Sequence, residues 1–312
     1  MEGAVRLENW GVIRAQGADA ASFLQGQLTA DVASLLSNSV PPRATLAGYC
    51  TPKGRLQASF IIWSPGPEEL LLACSADLLP ATLKRLSMFV LRAKCKLSDA
   101  SADWPLWGLA GDAAASWLGD RQPATAWTVH AAAEAQVVRL PDGAGQVRCL
   151  LAQRADAPTP PLAPLPEPAW RWLEAASGVA RISTPTIDQF VPQMVNFELV
   201  GGVNFKKGCY PGQEVVARSQ YRGTLKRRAM LLALPANAPI MAPGQEVFHD
   251  ADPGQPAGMV ALAGQSPQGD QLGLVEVKLA LANGPGSFHL GSVDGPALSP
   301  RALPYPLPAD QG

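Results

Sequence analysis

The proline-rich segment APTPPLAPLPEP, at residues 157–168, is the feature that most limits how this chain can fold. Six of the eleven residues from Pro158 to Pro168 are proline. Because proline has a fixed φ angle and no backbone N–H, the segment can form neither the interior of a helix nor a central strand. It is predicted to be a stiff, exposed connection between the elements before it and those after it.

Strands and helices alternate before this segment. The stretches LQASFIIW (56–63) and EELLLAC (68–74) are predicted to form a hairpin across SPGP. From Asp77 to Arg92, leucine and valine recur every three or four residues, which predicts a helix with one apolar face. This mixture of strands and helices is typical of the α+β class.

After Arg228 the pattern changes to short apolar stretches, such as GMVALAG (258–264), which are separated by Gly, Pro and Asp. This pattern predicts a small β-barrel or sandwich. With 312 residues, of which 47% are hydrophobic, the chain is expected to contain two or three domains. We place a boundary near residue 223, with one region at 1–222 and a β-domain at 223–312.

Composition and charge argue against several classes of protein. The formal net charge is −1 and only 16% of residues are charged, so no overall affinity for nucleic acid or membranes is indicated. The N-terminal residues show no signal-peptide pattern, and no apolar run is long enough to span a bilayer. We therefore expect a cytoplasmic protein with no membrane partner. The scattered cysteines and histidines predict neither a disulfide framework nor a metal site.

The stretch NFKKGCYPGQEVVAR, residues 204–218, has features that a buried cysteine does not need. Lys206 and Lys207 precede Cys209, and Pro211 is suited to the start of a helix through GQEVVARSQ. A nearby ammonium group and a helix N-terminus both favour the thiolate form of cysteine. Cys209 is therefore predicted to be a reactive thiol that Lys207 assists. The alternative is a purely structural cysteine in a turn.

The longer stretch QFVPQMVNFELVGGVNFKKGCYPGQEVVARSQYRGTLKRR (189–228) contains K-G-C-Y-x-G-Q-E at 207–214. It resembles the YgfZ family of folate-binding proteins, which are cytoplasmic relatives of the glycine-cleavage T-protein. Matches at 7–32, 51–60 and 303–307 extend the resemblance to nearly the whole chain. The resemblance implies an α+β fold like that of the T-protein, with two interleaved α+β subdomains and a C-terminal β-barrel around a central folate site.

The resemblance also implies a function and a cofactor. The family has a role in making or maintaining iron–sulfur enzymes, including those that methylthiolate tRNA. We therefore expect this chain to bind tetrahydrofolate or a derivative and to contact iron–sulfur enzymes transiently, without binding RNA directly. An aromatic ring can stack on a flat pterin, and Trp10 and Trp170 match, by spacing, the folate-contacting tryptophans of the family. The signature residues Tyr210, Gln213 and Glu214 are expected to belong to the same folate site.

Seven basic residues and a single acid, Glu214, lie between Asn204 and Arg228. We call this segment, residues 204–228, the basic hinge. Such a run is either a solvated surface or a site for an anionic partner. The partner expected from the resemblance is the glutamyl tail of folate, held by residues such as Arg228. The alternative partner is an RNA phosphate backbone, which would make the protein an RNA-binding module.

Folate-dependent aminomethyl transfer, the reaction of the T-protein, is the enzymatic alternative. The T-protein carries an acidic pair in a stretch resembling G-G-x-x-D-D, and the equivalent positions here are Gln57 and Ala58. An amide and a methyl group cannot hold an amine by charge or accept its proton, so a transferase is not favoured. The T-protein also has a glutamate for the pterin ring where this chain has Ala176. Glu174 lies two residues away and points in a different direction, so it is predicted to be a poor substitute.

Overall fold

The computed structural model describes residues 1–36, 41–221 and 225–308. Its strands are β1 (Gly3–Arg6), β2 (Trp10–Gln16), β3 (Ala44–Cys50), β4 (Leu56–Gly66), β5 (Glu69–Ser75), β6 (Lys96–Asp99), β7 (Leu106–Ala110), β8 (Val129–Ala131), β9 (Ala135–Gly143), β10 (Gln146–Gln153), β11 (Arg227–Leu234), β12 (Glu246–His249), β13 (Gly258–Gln265), β14 (Gln271–Lys278), β15 (Phe288–Leu290) and β16 (Ala297–Arg301). Its α-helices are α1 (Ala20–Gln25), α2 (Leu79–Ser87), α3 (Gly111–Leu118), α4 (Glu167–Ala176), α5 (Gln213–Tyr221) and α6 (Leu279–Ala282).

The predicted hairpin is present as β4 and β5, but the predicted helix at 77–92 is shorter than its apolar spacing suggested. Helix α2 ends at Ser87. Leu91, a few residues later, has a φ of 47°, which a right-handed helix does not allow. Within the described residues, no helix is long and apolar enough to cross a membrane.

The strands before the proline-rich segment form two antiparallel sheets. The first sheet has the order β3-β4-β5-β2-β6, and the second has the order β1-β7-β10-β9-β8. Strand β1 precedes the first sheet in the chain but belongs to the second sheet. The two α+β subdomains are therefore interleaved, as predicted.

The C-terminal strands close into a barrel with the order β11-β14-β13-β12-β15-β16. Strand β11 completes the closure, because it pairs with β14 on one side and with β16 on the other. The predicted C-terminal β-barrel is thus confirmed. Its first strand begins at Arg227, and the predicted boundary between residues 222 and 223 lies outside the described residues.

The proline-rich segment at 157–168 does more than connect two regions. The backbone N of Ala4, in β1, donates to the carbonyl of Ala163 at 2.9 Å. The backbone N of Leu165 donates to the carbonyl of Ala4, also at 2.9 Å. The segment therefore covers the edge of the second sheet, which would otherwise present unpaired backbone groups, and it is only partly exposed.

Helix α4 lies between the second sheet and the barrel, and its backbone is very close to both. A Cβ atom at Gly143, in β9, would lie 2.3 Å from the carbonyl oxygen of Leu173. A Cβ atom at Gly264, in β13, would lie 2.0 Å from the backbone nitrogen of Trp172. Only glycine permits such an approach. These two contacts fix the position of α4 and hence the direction of its side chains.

Candidate functional site

A small cavity, which we call the central cavity, lies where the first sheet, the second sheet and α4 meet. Its walls include Trp10, Ser59, Arg148, Glu174 and Arg181. Its volume is about 30 Å³, which is room for one or two water molecules. A flat ring can therefore enter only after some of the lining side chains have moved.

Three charged side chains line the central cavity. Glu174 is 5% exposed, and its Oε2 lies 3.4 Å from Nη2 of Arg181. Arg181 also donates to Oγ of Ser75 at 3.2 Å. Burial lowers the pKa of Arg148 to about 10, so this side chain stays protonated at neutral pH. Among the described lining residues, two guanidinium groups thus face one carboxylate, which favours a ligand with hydrogen-bond acceptors.

The two tryptophans predicted to contact folate have different positions. Trp10 lines the cavity, and Cζ of Arg181 lies 4.8 Å from the centroid of its ring. Trp170 is 1% exposed, packs against Gly108 of β7 and does not line the cavity. Its ring centroid lies 4.6 Å from Cζ of Arg148, which does. Trp10 is placed to contact a ligand in the cavity, whereas Trp170 contacts Arg148 and does not reach the cavity itself.

Trp127 is a further tryptophan at this cavity, and no sequence pattern indicated it. It lies in the loop before β8 and has a φ of 63°, a left-handed conformation that is rare for a bulky residue. Its backbone N donates to the carbonyl of Arg139 at 2.8 Å, and its carbonyl accepts from the backbone N of Ala44 at 2.9 Å. The residues that usually mark this conformation are Gly, Asn and Asp, so the sequence carries no signal for it.

The side chain of Glu174, which was predicted to be a poor substitute for the pterin-binding glutamate of the T-protein, lies at the central cavity. Glu174 lines the central cavity, and Ala176 lines a separate groove between α4 and the barrel. The two side chains do point in different directions, as expected, and Glu174 rather than Ala176 lines the central cavity. Packing of α4 between the second sheet and the barrel decides this, and Glu174 is the candidate for holding a pterin ring.

Gln57 and Ala58, which occupy the positions of the acidic pair, lie outside the central cavity. Nε2 of Gln57 donates to Oδ2 of Asp188 at 3.4 Å near the surface, and Ala58 is buried in the first sheet. Glu174 is the acidic residue among the described lining residues, and it is paired with Arg181. The cavity therefore offers no free carboxylate that could act on an amine.

Cys209 lies on an exposed loop, residues 204–212, which we call the cysteine loop. All five cysteines are free, and Cys209 is the exposed one. Burial raises the pKa of Cys50 and Cys74 to about 12 and that of Cys149 to about 11. Those three thiols are poor nucleophiles at neutral pH. The predicted accessibility of Cys209 is confirmed, and its reactivity stays a prediction.

Lys207 holds the cysteine loop in place. Its Nζ donates to the carbonyl of Gln25, at the end of α1, and to the carbonyl of Leu28 at 2.6 Å. The same atom lies 4.9 Å from the ring centroid of Tyr210. Burial lowers the pKa of Lys207 to about 8. The ammonium group is therefore hydrogen-bonded to backbone carbonyls. The negative charges of Asp31 and Cys209 partly offset the effect of burial on its pKa, and its assistance of the thiol stays a prediction.

The cysteine loop packs against the turn between β3 and β4. Gly212 has a φ of 81°, and a Cβ atom there would lie 2.3 Å from the carbonyl oxygen of Thr51. Gly54 has a φ of 73°, and a Cβ atom there would lie 2.9 Å from Cβ of Val215. The motifs TPKG and KGCYPGQE, which are more than a hundred residues apart, thus meet in space.

The remaining signature residues shape the cysteine loop and the helix that follows it. The predicted helix is present as α5, but it begins at Gln213. Pro211 therefore lies in the turn before the helix rather than at its start. Tyr210 is buried, which raises the pKa of its hydroxyl, and this group has no partner among the described residues. Gln213 is half-buried and Glu214 is exposed. None of them lines the central cavity, so their role in folate binding stays a prediction.

A wider groove, which we call the side groove, adjoins the central cavity. Leu46 and Trp127 line both spaces. The volume of the side groove is about 590 Å³. Its charged walls include Arg43, Lys206 and Asp31. The side groove therefore connects the region of the central cavity to the surface beside the cysteine loop.

Two cations of the basic hinge are held in ion pairs. Nη1 of Arg228, a buried residue, lies 2.5 Å from Oε1 of Glu198. Nη1 of Arg227 lies 2.9 Å from Oε1 of Glu276. Arg222 lies outside the described residues. Arg228 is thus paired with a protein carboxylate, and its predicted contact with a folate tail stays a prediction. Lys206, Arg218 and Lys226 of the same hinge are exposed.

The fold defines the class of this protein. The crystal structure of glycine cleavage system aminomethyltransferase T from Bartonella henselae matches it with a TM-score of 0.75, over 97% of this chain and 86% of that one. The two sequences are 17% identical, so the match shows the fold alone. The chain has the T-protein fold, as its sequence predicted.

Relatives in sequence then show the family. A comparison with protein-family models finds no match. The tRNA-modifying protein YgfZ of Edwardsiella ictaluri is 37% identical over 237 residues, which are 72% of this chain and 68% of that protein. The YgfZ proteins of Sodalis glossinidius and Photorhabdus laumondii are each 30% identical over 97% of this chain, and over 93% and 92% of their own lengths. The chain belongs to the YgfZ family.

Proposed function

We propose that this protein binds a reduced folate, tetrahydrofolate or a derivative, with the pterin ring in the central cavity. The observation that carries the proposal is Glu174, a buried carboxylate in the same cavity as the ring of Trp10. A carboxylate accepts strong hydrogen bonds from ring N–H groups, and an indole can stack on a flat heterocycle. The Nε atoms of Arg148 and Arg181 have no partner among the described residues and add donors.

Folate binding requires the central cavity to open toward the side groove. The cavity alone, at about 30 Å³, is too small for a pterin ring, whereas the side groove has about 590 Å³. Trp127 lines both spaces on a strained backbone, and movement of its side chain would join them. The benzoyl-glutamate tail of the folate then lies in the side groove, where Arg43 and Lys206 attract its carboxylates.

The folate-bound protein supports iron–sulfur enzymes that modify tRNA. This part of the proposal is supported by the relatives named tRNA-modifying protein YgfZ and by the exposed thiol of Cys209, which a protein partner can reach. Contact with the client enzymes is transient and is made through the cysteine loop. Five free cysteines suit a reducing compartment, and the cytoplasm is the proposed location.

The structure supports the two alternatives less well than it supports folate binding. Aminomethyl transfer needs a carboxylate at the reacting amine, but Gln57 and Ala58 lie outside the cavity and Glu174 is paired with an arginine. Direct RNA binding needs free cations. Arg227 and Arg228 are in ion pairs with glutamates, which leaves Lys206, Arg218 and Lys226 as the exposed cations of the described part of the hinge. We therefore propose a binding protein that neither transfers the one-carbon group nor holds RNA.

A titration with tetrahydrofolate, followed by tryptophan fluorescence, tests the binding. We expect a saturable change in the wild type and binding weaker by about ten-fold or more in Glu174→Gln, because the lost hydrogen bonds are charge-assisted. Glu134→Gln is the control, because Glu134 is exposed and lines neither the central cavity nor the side groove. This variant should bind tetrahydrofolate as the wild type does. A wild-type protein with no saturable signal would contradict the proposal.

Complementation tests the role of the thiol. In a bacterium that lacks its own YgfZ protein, the wild type and Cys95→Ser should restore tRNA methylthiolation. Cys209→Ser should fold and bind tetrahydrofolate normally, because an exposed substitution changes stability by less than about 0.5 kcal/mol. It should nevertheless fail to restore methylthiolation, because it lacks the thiol. Full restoration by Cys209→Ser would show that the thiol has no function there.

A further inference from the structure

Arg148 is a buried cation with very few partners in the protein. It is 3% exposed, and the described residues give its guanidinium one hydrogen bond, from Nη1 to the carbonyl of Pro141 at 3.3 Å. Its Nε has no partner among them. Arg139, on the adjacent strand, differs, because its guanidinium donates to the carbonyl of Leu140 and to the carboxylate of Asp142. Nε of Arg139 also has no partner among the described residues, but both of its Nη atoms donate to protein oxygens, whereas Arg148 makes a single hydrogen bond of 3.3 Å.

The surroundings of Arg148 keep it charged and directed into the central cavity. The ring of Trp170 supports its guanidinium at 4.6 Å, and the negative charge of Glu174 partly offsets the effect of burial on its pKa. Glu174 nevertheless bonds to Arg181 rather than to Arg148. A guanidinium only donates hydrogen bonds and remains protonated, and a buried one without acceptors is costly. Arg148 is therefore placed for an acceptor that the ligand brings.

We infer that Arg148 donates to a ring carbonyl of the ligand and thereby selects 4-oxo pterins over 2,4-diaminopteridines. This inference rests on the proposed folate function. A 4-oxo pterin has its carbonyl next to the N3–H and 2-amino donors, so the acceptor suits Arg148 while the donors suit Glu174. In a 2,4-diaminopteridine an amino group replaces the carbonyl. Its N–H groups would meet a side chain that can only donate, inside a buried site.

Folic acid and aminopterin test this inference, because aminopterin has a 4-amino group in place of the 4-oxo group and therefore also lacks the hydrogen on N3. Calorimetric titration of the full chain with both compounds and with tetrahydrofolate is the measurement. The wild type should bind folic acid at least about a hundred-fold more tightly than aminopterin, since a buried polar group left unpaired discriminates strongly. Arg148→Met keeps an apolar stem over Trp170 but removes the donors. It should bind folic acid about ten-fold or more weakly and lose most of the preference. The remainder comes from the N3–H, which only folic acid offers to Glu174.

Arg154→Met is the matched control, because Arg154 also lies over a tryptophan ring, that of Trp104 at 5.2 Å, but does not line the central cavity. It should keep the wild-type preference. The melting temperature of Arg148→Met should be unchanged or higher, because an unpaired buried charge is removed.

Several results would overturn the inference. Unfolding of Arg148→Met would show that Arg148 is a structural residue. Arg148→Gln has a shorter side chain, which should reduce the preference for folic acid. If this variant kept the full wild-type preference, Arg148 would not be the residue that selects the ligand. Equal affinities of the wild type for folic acid and aminopterin would overturn the inference and leave the proposed function intact. Failure of all three compounds to bind would contradict the proposed function itself.

Discussion

Lys207 shows that a lysine next to a reactive group can have a structural role. In the sequence, its place two residues before Cys209 predicts a cation that activates the thiol. In the structure, its ammonium group binds the carbonyls of Gln25 and Leu28, at the C-terminal end of α1 and just beyond. A cation is favourable at that end of a helix. Lys207 therefore fastens the loop that presents the cysteine.

We expect Lys207→Met to lower the free energy of unfolding by about 1–3 kcal/mol, because hydrogen bonds from a charged donor are lost. Lys206→Met, at an exposed neighbouring position, should change it by less than about 0.5 kcal/mol. Folding lowers the pKa of Lys207 from 10.5 to about 8, so the unfolded chain binds more protons between these pH values. The stability of the wild type relative to Lys207→Met should therefore rise from pH 8 to pH 10.5.

Urea unfolding of the three proteins at several pH values measures both effects. A relative stability that falls over this pH range would contradict the burial of the ammonium group. Equal effects of the two lysine substitutions would show that the bonds to α1 do not hold the loop.

Between elements, two glycine contacts join parts of the chain that are far apart in sequence. Gly212 meets the carbonyl of Thr51, and Gly54 meets the side chain of Val215. Both glycines have positive φ angles and touch the opposite turn, so neither position accepts a side chain without strain. The turn between β3 and β4 therefore positions the cysteine loop, which does not depend on its own residues alone.

Gly212→Ala should lower the free energy of unfolding by about 1–3 kcal/mol. Alanine is unfavourable at the positive φ of this position, and its Cβ atom would collide with the carbonyl oxygen of Thr51. Gly208→Ala is the matched control in the same loop, since a Cβ atom at Gly208 would meet nothing within 4 Å. Thermal unfolding and limited proteolysis of the loop distinguish the two variants. Identical behaviour would mean that the loop does not rest on the β3–β4 turn.

Elements could be predicted from the sequence better than the contacts between them. Strands β4 and β5 were found because two nearly continuous apolar runs flank the turn residues SPGP. Trp127 was missed because a left-handed backbone leaves no mark on a tryptophan. The place of Glu174 in the central cavity could not be predicted, because packing of α4 between two other parts of the molecule decides which side chain faces the cavity. Arg228 was assigned to a ligand because a count of charges cannot show that Glu198 neutralises it.

Over the whole molecule, a buried polar network joins the barrel to the rest of the chain. Arg228, in β11, donates to Oε1 of Glu198 at 2.5 Å and to Oδ1 of Asn196 at 3.3 Å. Nδ2 of Asn196 lies 3.4 Å from the hydroxyl of Tyr305, near the C-terminus. That hydroxyl donates to the carbonyl of Gly178, just after α4, at 2.7 Å. Attachment of the barrel therefore helps to fix the helix that carries the carboxylate of the central cavity.

Arg228→Ala should lower the free energy of unfolding by about 3–5 kcal/mol, because it leaves the carboxylate of Glu198, 4% exposed, buried without its cation. Burial already raises the pKa of Glu198, so the loss should shrink as the pH falls and the carboxyl group becomes protonated. Lys226→Ala, at an exposed position in the same segment, should change stability by less than about 0.5 kcal/mol. Denaturant unfolding at pH 5 and pH 7 is the measurement.

A double variant, Arg228→Met with Glu198→Leu, separates the ion pair from a role in ligand binding. It removes both buried charges, so it should recover most of the stability that Arg228→Ala loses. Its affinity for polyglutamylated tetrahydrofolate should equal that of the wild type, because Arg228 faces a protein carboxylate rather than the side groove. If Arg228→Ala instead folded as stably as the wild type and lost affinity for the polyglutamylated ligand alone, Arg228 would belong to the folate site and the network would not be what holds the barrel.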